Sequence, residues 1–187
     1  MAVPRILRIF KVRPEGNLEF WVSNLVIIFS TVLGVYLAAQ AGYQTALDFE
    51  TVRSERESYY LRRALLDELK DNLVQADEMG TKVAEGDWRA RGGDASVFKL
   101  QSYVWETMKE HDTTFQIPPQ ILTGIRRYYD KAAANARYMA SADGAGIYGA
   151  KSWMKDTQEV REKIVPLLEA NIAELRKSLI ERDVAVD

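Results

Sequence analysis

A long run without any charged residue, from Phe20 to Tyr43, constrains this chain more than any other feature. As an α-helix it would extend roughly 36 Å at about 1.5 Å per residue, enough to cross a hydrocarbon core of about 30 Å. Trp21 and Tyr43 lie at its two ends, where amphipathic aromatic rings favour the membrane interface. The run is too long for the apolar region of a cleaved signal peptide. The sequence therefore predicts one transmembrane helix that acts as a signal anchor.

The charges on either side of this run predict its orientation. Four basic residues precede it, at Arg5, Arg8, Lys11 and Arg13. The residues that directly follow it carry more acidic than basic side chains. Because basic residues are retained on the cytoplasmic side, we expect a cytoplasmic N-terminus and an exported C-terminal domain in a bacterial inner membrane. The expected division is a basic cytoplasmic segment at 1–19, the transmembrane helix at 20–43, and a stalk with a periplasmic helical bundle at 44–187.

The basic segment at 1–19 has two interpretations. Its apolar residues alternate with its basic ones, which is typical of a short segment that lies on an anionic leaflet. Alternatively, its charges serve only to fix the topology of the helix that follows. The sequence leaves both interpretations open.

The composition excludes several kinds of function. The formal net charge is -2, so no strong field attracts nucleic acid, and none is expected as a partner. The chain has no cysteine, which excludes disulfides and cysteine-ligated iron–sulfur sites. His111 is the only histidine, and one histidine beside Glu110 and Asp112 at a helix end does not enclose a metal ion. We expect a surface cap there and no metal or cofactor.

Small residues recur at every fourth position of the predicted membrane helix, at Ser30, Gly34, Ala38 and Gly42. Small residues at this spacing form a smooth face that lets another helix approach closely. The alternative is that the row reflects composition alone, because glycine is frequent in membrane helices. We interpret these four residues as a helix-packing site.

Helical periodicity continues beyond the membrane helix. No proline occurs between Phe20 and Gly80, so we expect the same helix to continue into an amphipathic stalk. Two apolar stripes form the predicted bundle interface, the first near the stalk and the second a short heptad pattern near the C-terminus. The first stripe consists of Leu61, Leu65, Leu69 and Leu73, and the second of Val165, Leu168, Ile172, Leu175 and Leu179.

Further helices are predicted in the rest of the chain. One ends near His111 and begins with a cap at Asp94 or Ser96, and the next covers about 121–139. The last helix is expected from about Ser152 to Arg182, with an early kink at Pro166. Loops are expected at 86–93 and 143–149, and no segment alternates with period two over more than a few residues, so we expect no sheet.

Three glycines match the string G-x-G-x-x-G, at Gly144, Gly146 and Gly149. A dinucleotide site needs a strand before this string, inside a parallel sheet. An alanine-rich helical segment precedes it here instead. We therefore expect a flexible turn between two helices and no bound nucleotide.

Two groups of residues match a family pattern. The first is an L-G-x-x-L-A-like centre of the membrane helix, at Leu33, Gly34, Leu37 and Ala38, and the second is Tyr60, Leu61, Leu65, Glu68 and Leu69. In these residues the chain resembles a widespread, uncharacterised bacterial family of small single-pass membrane proteins. The chain departs from the family at 41–43, which reads Ala-Gly-Tyr where the family usually has Asn-x-Trp. The resemblance implies a membrane-anchored helical protein and transfers no catalytic residue.

Together these patterns predict an all-α fold, with one N-terminal transmembrane helix continuous with a stalk and an extramembrane bundle of three or four helices. The function expected is that of a non-enzymatic accessory or scaffold subunit of a larger bacterial membrane assembly, such as a respiratory, photosynthetic or secretion complex. The expected partners are the lipid bilayer, other membrane-protein subunits or a second copy of the chain. The alternative is a membrane-anchored periplasmic sensor or ligand-binding module, which is disfavoured because the short cytoplasmic segment leaves no room for an output domain.

Overall fold

The computed structural model describes residues 18–87, 94–141 and 145–186, and every regular element within them is helical. The prediction of an all-α fold is confirmed. The α-helices are α1 (Leu18–Ala84), α2 (Tyr103–Lys109), α3 (Pro119–Ala140), α4 (Ala145–Lys163) and α5 (Val165–Glu181). Two short 3-10 helices, Ala95–Phe98 and Asp112–Gln116, precede and follow α2.

The chain divides into two compact units between Phe49 and Glu50, inside the bounds of α1. In the first unit, residues 18–49 are helical and bury no side chain. This helix contains one segment long and apolar enough to cross a membrane, near the N-terminus of the chain. Most of the basic segment predicted at 1–19 lies outside the described residues.

The second unit is a helical bundle in which α1, from Glu50 onwards, forms one wall. The predicted stalk is thus part of the bundle, and its leucine stripe lies in the core with residues of α2 to α5. The side chains that are fully buried include Leu65, Leu69, Met108, Tyr128, Trp153 and Leu168. Burial of such side chains from every α-helix is what holds the unit together.

The helices α3 and α4 pack side by side in antiparallel directions. Gly149 near the start of α4 lies against Asn135, Tyr138 and Met139 near the end of α3. At the other end of the pair, Gly124 of α3 lies under the side chain of Ile164, directly after α4. The short connection between the two helices produces this antiparallel arrangement.

The turn predicted at 143–149 is wrong from residue 145 onwards, because α4 begins at Ala145. Gly146 and Gly149 are buried in the first turns of this helix, while Gly144 lies outside the described residues. A Cβ atom at Gly149 would lie 3.0 Å from the carbonyl oxygen of Asn135. The glycine therefore allows two helix backbones to approach closely.

The single helix predicted from Ser152 to Arg182 is also wrong, since the chain forms α4 and α5 with a break at Ile164. Pro166 lies in the first turn of α5. Proline has no backbone N–H and its ring clashes with the carbonyl four residues earlier, so it is tolerated at a helix start and ends a helix that precedes it. The break at Ile164 lies two residues before Pro166, close to the predicted kink, and the backbone of Ile164 stays in the right-handed helical region.

The helix predicted to end near His111 consists of two pieces. Asp94 caps the first 3-10 helix, because its carboxylate accepts a hydrogen bond from the Ser96 backbone N–H at 2.8 Å. The chain is then extended at Lys99 before α2 begins at Tyr103. The predicted cap at Asp94 is confirmed, although the helix that it caps is short.

Candidate interaction surfaces

The small-residue row of α1 lies open. Ser30, Gly34, Ala38 and Gly42 are all exposed. A Cβ atom built at Gly34 or at Gly42 would meet no other atom within 4 Å. The described part of the chain therefore leaves a continuous strip on this helix that another helix backbone can approach.

Two polar side chains in the apolar part of α1 bond to their own helix. The Asn24 amide donates to the carbonyl of Phe20 at 2.9 Å. The hydroxyl of Thr31 donates to the carbonyl of Ile27 at 2.8 Å in the same way. Such bonds satisfy donors that would otherwise be costly to place in hydrocarbon. Asn24 and Thr31 are thus compatible with an apolar environment around this part of the helix.

The predicted bundle-interface residues lie between helices of the second unit. On α1, Leu65, Leu69 and Leu73 are buried and Leu61 packs against them. On α5 the buried residues are Val165, Leu168 and Leu179, and the half-buried ones are Ile172 and Leu175. These side chains stabilise the bundle from within. A protein that docks on the bundle would therefore contact other residues, on its surface.

The side chain of Glu68 joins α1 to α2. Its two carboxylate oxygens accept hydrogen bonds from the backbone N–H groups of Val104 at 2.6 Å and Trp105 at 3.1 Å. These N–H groups belong to the first turn of α2, where a helix has no internal acceptors for them. A carboxylate at this position also interacts favourably with the helix dipole. Glu68 therefore fixes the start of α2 on α1.

Asn72 lies one helical turn beyond Glu68 and continues the same contact. Its amide donates to the carbonyl of Gln101 at 2.6 Å, and its side-chain oxygen accepts from the Gln101 N–H at 2.9 Å. Its amide also donates to the hydroxyl oxygen of Tyr129 at 3.1 Å. Asn72 is buried, so each of these bonds satisfies a group that water does not reach.

Tyr129 of α3 completes this polar cluster. Its hydroxyl donates to the Glu68 carboxylate at 2.9 Å. Burial raises the pKa of Tyr129 well above its usual range, and the nearby negative charge of Glu68 raises it further. The ring stacks on Trp105 of α2 with centroids 5.7 Å apart and planes inclined by 12°. The cluster thus fixes α2 against both α1 and α3.

A groove of about 610 Å³ lies beside this cluster, between α3 and the segment that includes the first 3-10 helix and α2. Its lining includes the buried side chains of Phe98, Leu100 and Trp105. On the α3 side it is bordered by the alanines at 132, 133 and 136. The charged residues that line it are Lys99, Lys109, Arg126 and Arg137, together with Glu106 and Asp130.

A second cleft, of about 460 Å³, lies between α3 and α4. Its wall contains Asp156, which accepts hydrogen bonds from Lys131 at 2.6 Å and Asn135 at 3.2 Å. Lys163 pairs with Glu159 at 2.9 Å on the same wall. Four charged groups of this cleft are thus already paired. One pair joins α3 to α4, and the other joins successive turns of α4.

Arg62 is a buried cation whose hydrogen-bond partner in the described residues is neutral. It is 3% exposed, and its Nη1 donates to the side-chain oxygen of Asn171 on α5 at 2.5 Å. Its Nε has no hydrogen-bond partner among the described residues. Burial lowers the pKa of Arg62 from its usual value. The side chain links α1 to α5, although the removal of its charge from water costs free energy.

The remaining sequence motifs do not converge on a site. His111 is exposed and precedes the second 3-10 helix, with its Nδ1 3.0 Å from the hydroxyl of Thr113. Within the residues that the structure describes, no three histidine, aspartate or glutamate side chains are grouped so as to hold a metal ion. Gly146 and Gly149 serve helix packing, as described above.

The polar cluster and Arg62 were not predicted from the sequence, although one signal indicates them. At about 100° per residue, Asn72 lies about 20° from Leu65 around α1, inside the leucine stripe. Arg62 lies about 60° from Leu65 on the same scale, also within the stripe. A polar residue inside an apolar stripe indicates a buried hydrogen bond, although the sequence does not identify its partner.

No family model, curated protein or solved structure matches the chain. The resemblance to the bacterial family of small single-pass membrane proteins therefore stays a prediction.

Proposed function

We propose that the chain is a non-catalytic accessory or scaffold subunit of a larger bacterial integral-membrane assembly, of the respiratory, photosynthetic or secretion kind. The observation that carries this proposal is the apolar part of α1, whose large hydrophobic side chains are exposed along its whole length. An apolar surface of this extent is unfavourable in water and marks a site that lipid or another protein covers. The small-residue row then supplies the face for a partner helix.

Helix packing in a membrane supports this role. Lipid tails are as apolar as leucine, so helices associate there through close packing rather than through a hydrophobic driving force. The open strip at Gly34 and Gly42 allows backbones to approach and gain many small dispersion contacts. The partner is a helix of another subunit or of a second copy of the chain.

The non-catalytic role is supported by how the titratable groups of the bundle are used. Glu68 holds the start of α2, and Asp156 holds Lys131 and Asn135. Both carboxylates are engaged by several donors of the bundle, whereas a general acid or base must lie within reach of a proton of its substrate. Their chemistry is that of structural links between helices.

The orientation proposed is a cytoplasmic N-terminus with the bundle in the periplasm. It is supported by the four basic residues before the apolar run, of which Arg13 is the last. An alkaline phosphatase fused after Asp187 should then be active in a bacterial host, and a fluorescent reporter that requires the cytoplasm should be inactive there. The reverse pattern would contradict this orientation.

The proposed docking face is tested by photo-cross-linking in native membranes. A small diazirine amino acid at Ala38 lies on the small-residue row, whereas one at Tyr36 lies about 160° away around the helix at about 100° per residue. We expect protein adducts from Ala38, to another membrane protein or a second copy, and lipid adducts from Tyr36. Lipid adducts alone from both positions would contradict the proposal.

A further inference from the structure

We propose that the groove between α2 and α3 binds an acidic, amphipathic helix of a partner protein. The inference rests on the proposed role as an assembly subunit and names the chemistry of the partner that the bundle recognises. The groove is concave, with apolar side chains among its lining and cationic side chains along it, and an acidic amphipathic helix presents the complementary pattern.

The apolar part of the groove combines large aromatic side chains with small alanine side chains of α3. Trp105 and Tyr129 form a stacked aromatic pair along it. Further along α3, the side chains of Ala133 and Ala136 are only methyl groups, which leaves room for the side chains of an incoming helix. Trp105 is buried and Tyr129 is half-buried, so the pair forms a fixed apolar floor of the groove rather than projecting from it.

The charges of the groove favour an acidic partner. Four cationic side chains and two carboxylates line it, although the chain as a whole has a net charge of -2. Lys109 pairs with Glu106 at 2.5 Å. In the described part of the chain, Arg126 and Arg137 form no ion pair. These two guanidinium groups remain available for carboxylates of a partner.

The spacing of the two arginines fits a helical segment. Arg126 and Arg137 lie about 16 Å apart along α3, at about 1.5 Å per residue, which is about three helical turns. A helix lying along the groove would reach both with acidic residues about three turns apart. A helix can lie inside an extended concave surface and contact its floor. A flat anionic membrane would contact only the rim of the groove.

The groove is held in shape before any partner binds. Glu68 and Asn72 fix the start of α2 and the chain at Gln101, and Ser102 and Trp105 beside these contacts line the groove. A surface that is already ordered loses little conformational entropy on binding, so more of the contact energy appears as affinity.

The test uses the full chain in native bacterial membranes with a photo-reactive benzoylphenylalanine at Ala133 or at Ala134. Both alanines are exposed on α3, but Ala133 lines the groove and Ala134 does not. We expect Ala133 to capture a protein segment rich in aspartate and glutamate, identified by mass spectrometry of the adduct, and Ala134 not to capture it. Exchange of both arginines, Arg126→Glu with Arg137→Glu, should reduce the adduct by about tenfold, as expected for the loss of two rim ion pairs.

The matched control is Lys151→Glu, which reverses an exposed charge of α4 outside the groove and should leave the adduct unchanged. Capture of a neutral or basic segment, a lipid adduct alone, or equal capture at Ala133 and Ala134 would overturn the inference. If these outcomes accompany normal cross-linking at Ala38 in the membrane helix, the role as a subunit stands and the groove alone is assigned wrongly. Loss of cross-linking at Ala38 with acidic capture at Ala133 would instead contradict docking through the membrane helix.

Discussion

The hydroxyl of Tyr129 on α3 donates a hydrogen bond to the carboxylate of Glu68 on α1 at 2.9 Å. The same carboxylate accepts both of its other hydrogen bonds from the first turn of α2. One side chain of α1 therefore sets the positions of two other helices of the bundle. Hydrogen bonds to a charged acceptor are stronger than those between neutral groups, which gives this residue a large share in the specificity of the packing.

Replacement of Glu68 should destabilise the bundle. In Glu68→Gln one carboxylate oxygen becomes an amide group that donates, so it faces a backbone N–H of α2 that has lost its acceptor. We expect the free energy of unfolding to fall by about 1–3 kcal/mol. The measurement is urea unfolding of the full chain in mild detergent, followed by tryptophan fluorescence. Glu78→Gln, at an exposed position of α1, should change it by less than about 0.5 kcal/mol, and equal effects of the two changes would contradict the role of Glu68.

The raised pKa of Tyr129 predicts a loss of stability at alkaline pH. The contribution of Tyr129 to the free energy of unfolding is complete below the ordinary tyrosine pKa of about 10. It falls as the pH rises above that value, because the unfolded chain then loses a proton that the folded chain keeps. Tyr128 acts in the same direction, since burial also raises its pKa. We expect the free energy of unfolding to fall less steeply above about pH 10 in Tyr129→Phe than in the wild type. Parallel pH profiles for the two proteins would refute this.

Substitutions of Arg62 and of Asn171 should have different effects on the free energy of unfolding. Arg62→Met removes a buried charge and fills similar space with an apolar chain, so we expect stability to be unchanged or increased. Asn171→Ala leaves the guanidinium buried without its partner and should lower the free energy of unfolding by about 1–3 kcal/mol. Urea unfolding of both variants measures the difference. A greater loss for Arg62→Met than for Asn171→Ala would show that the arginine stabilises α1 against α5.

A side chain at Gly149 should separate α3 from α4. Alanine is favoured over glycine inside a helix by about 1 kcal/mol, but here its Cβ would lie 2.7 Å from the Cβ of Tyr138 and 3.1 Å from the backbone nitrogen of Met139. Backbone atoms cannot rotate away, so we expect a net loss of about 1–3 kcal/mol for Gly149→Ala.

Gly80→Ala is the matched control for this change. Its Cβ would lie 2.7 Å from the Cγ of Met154, which belongs to a flexible side chain. We expect Gly80→Ala to cost less than Gly149→Ala when the thermal unfolding midpoints of the full chain are compared. A larger loss at Gly80 would mean that the contact between α1 and α4 is the tighter one.

The helical class and the apolar stripes were predictable because they depend on periodicity along the chain. Leu65 and Leu69 are spaced at about one turn, and that spacing alone places them on one face. Pro166 indicated a disturbance of the last helix, although the sequence predicted a kink where the structure has a break at Ile164. The start of α4 was missed because it depends on what the neighbouring helix α3 contributes. Gly149 suits a turn by its own propensity, yet it lies in a helix because α3 needs a close approach there.

The candidate surfaces were predictable to different extents. The small-residue row is local to one helix, so the spacing of Gly34 and Gly42 indicated it directly. The polar cluster joins Glu68 to Tyr129, which lies 61 residues further along the chain. Sequence periodicity contains no information about which distant residue supplies a hydrogen bond, so neither the cluster nor the groove beside it was predictable.

Docking of α1 to a partner helix is tested most directly by native purification from bacterial membranes in mild detergent. The wild type should migrate with other membrane proteins or as an oligomer of its 21.3 kDa chain. Gly34→Leu should reduce that association, because the added bulk separates the backbones, while insertion is unaffected by a more apolar residue.

Phe29→Trp adds bulk about 140° away from Gly34 around the helix and at least about 100° from every residue of the row, at about 100° per residue, and should co-purify as the wild type does. The predicted result is therefore a loss of the co-migrating proteins in Gly34→Leu alone. A wild-type chain that purifies as a monomer, or equal association in all three proteins, would contradict docking through the small-residue row.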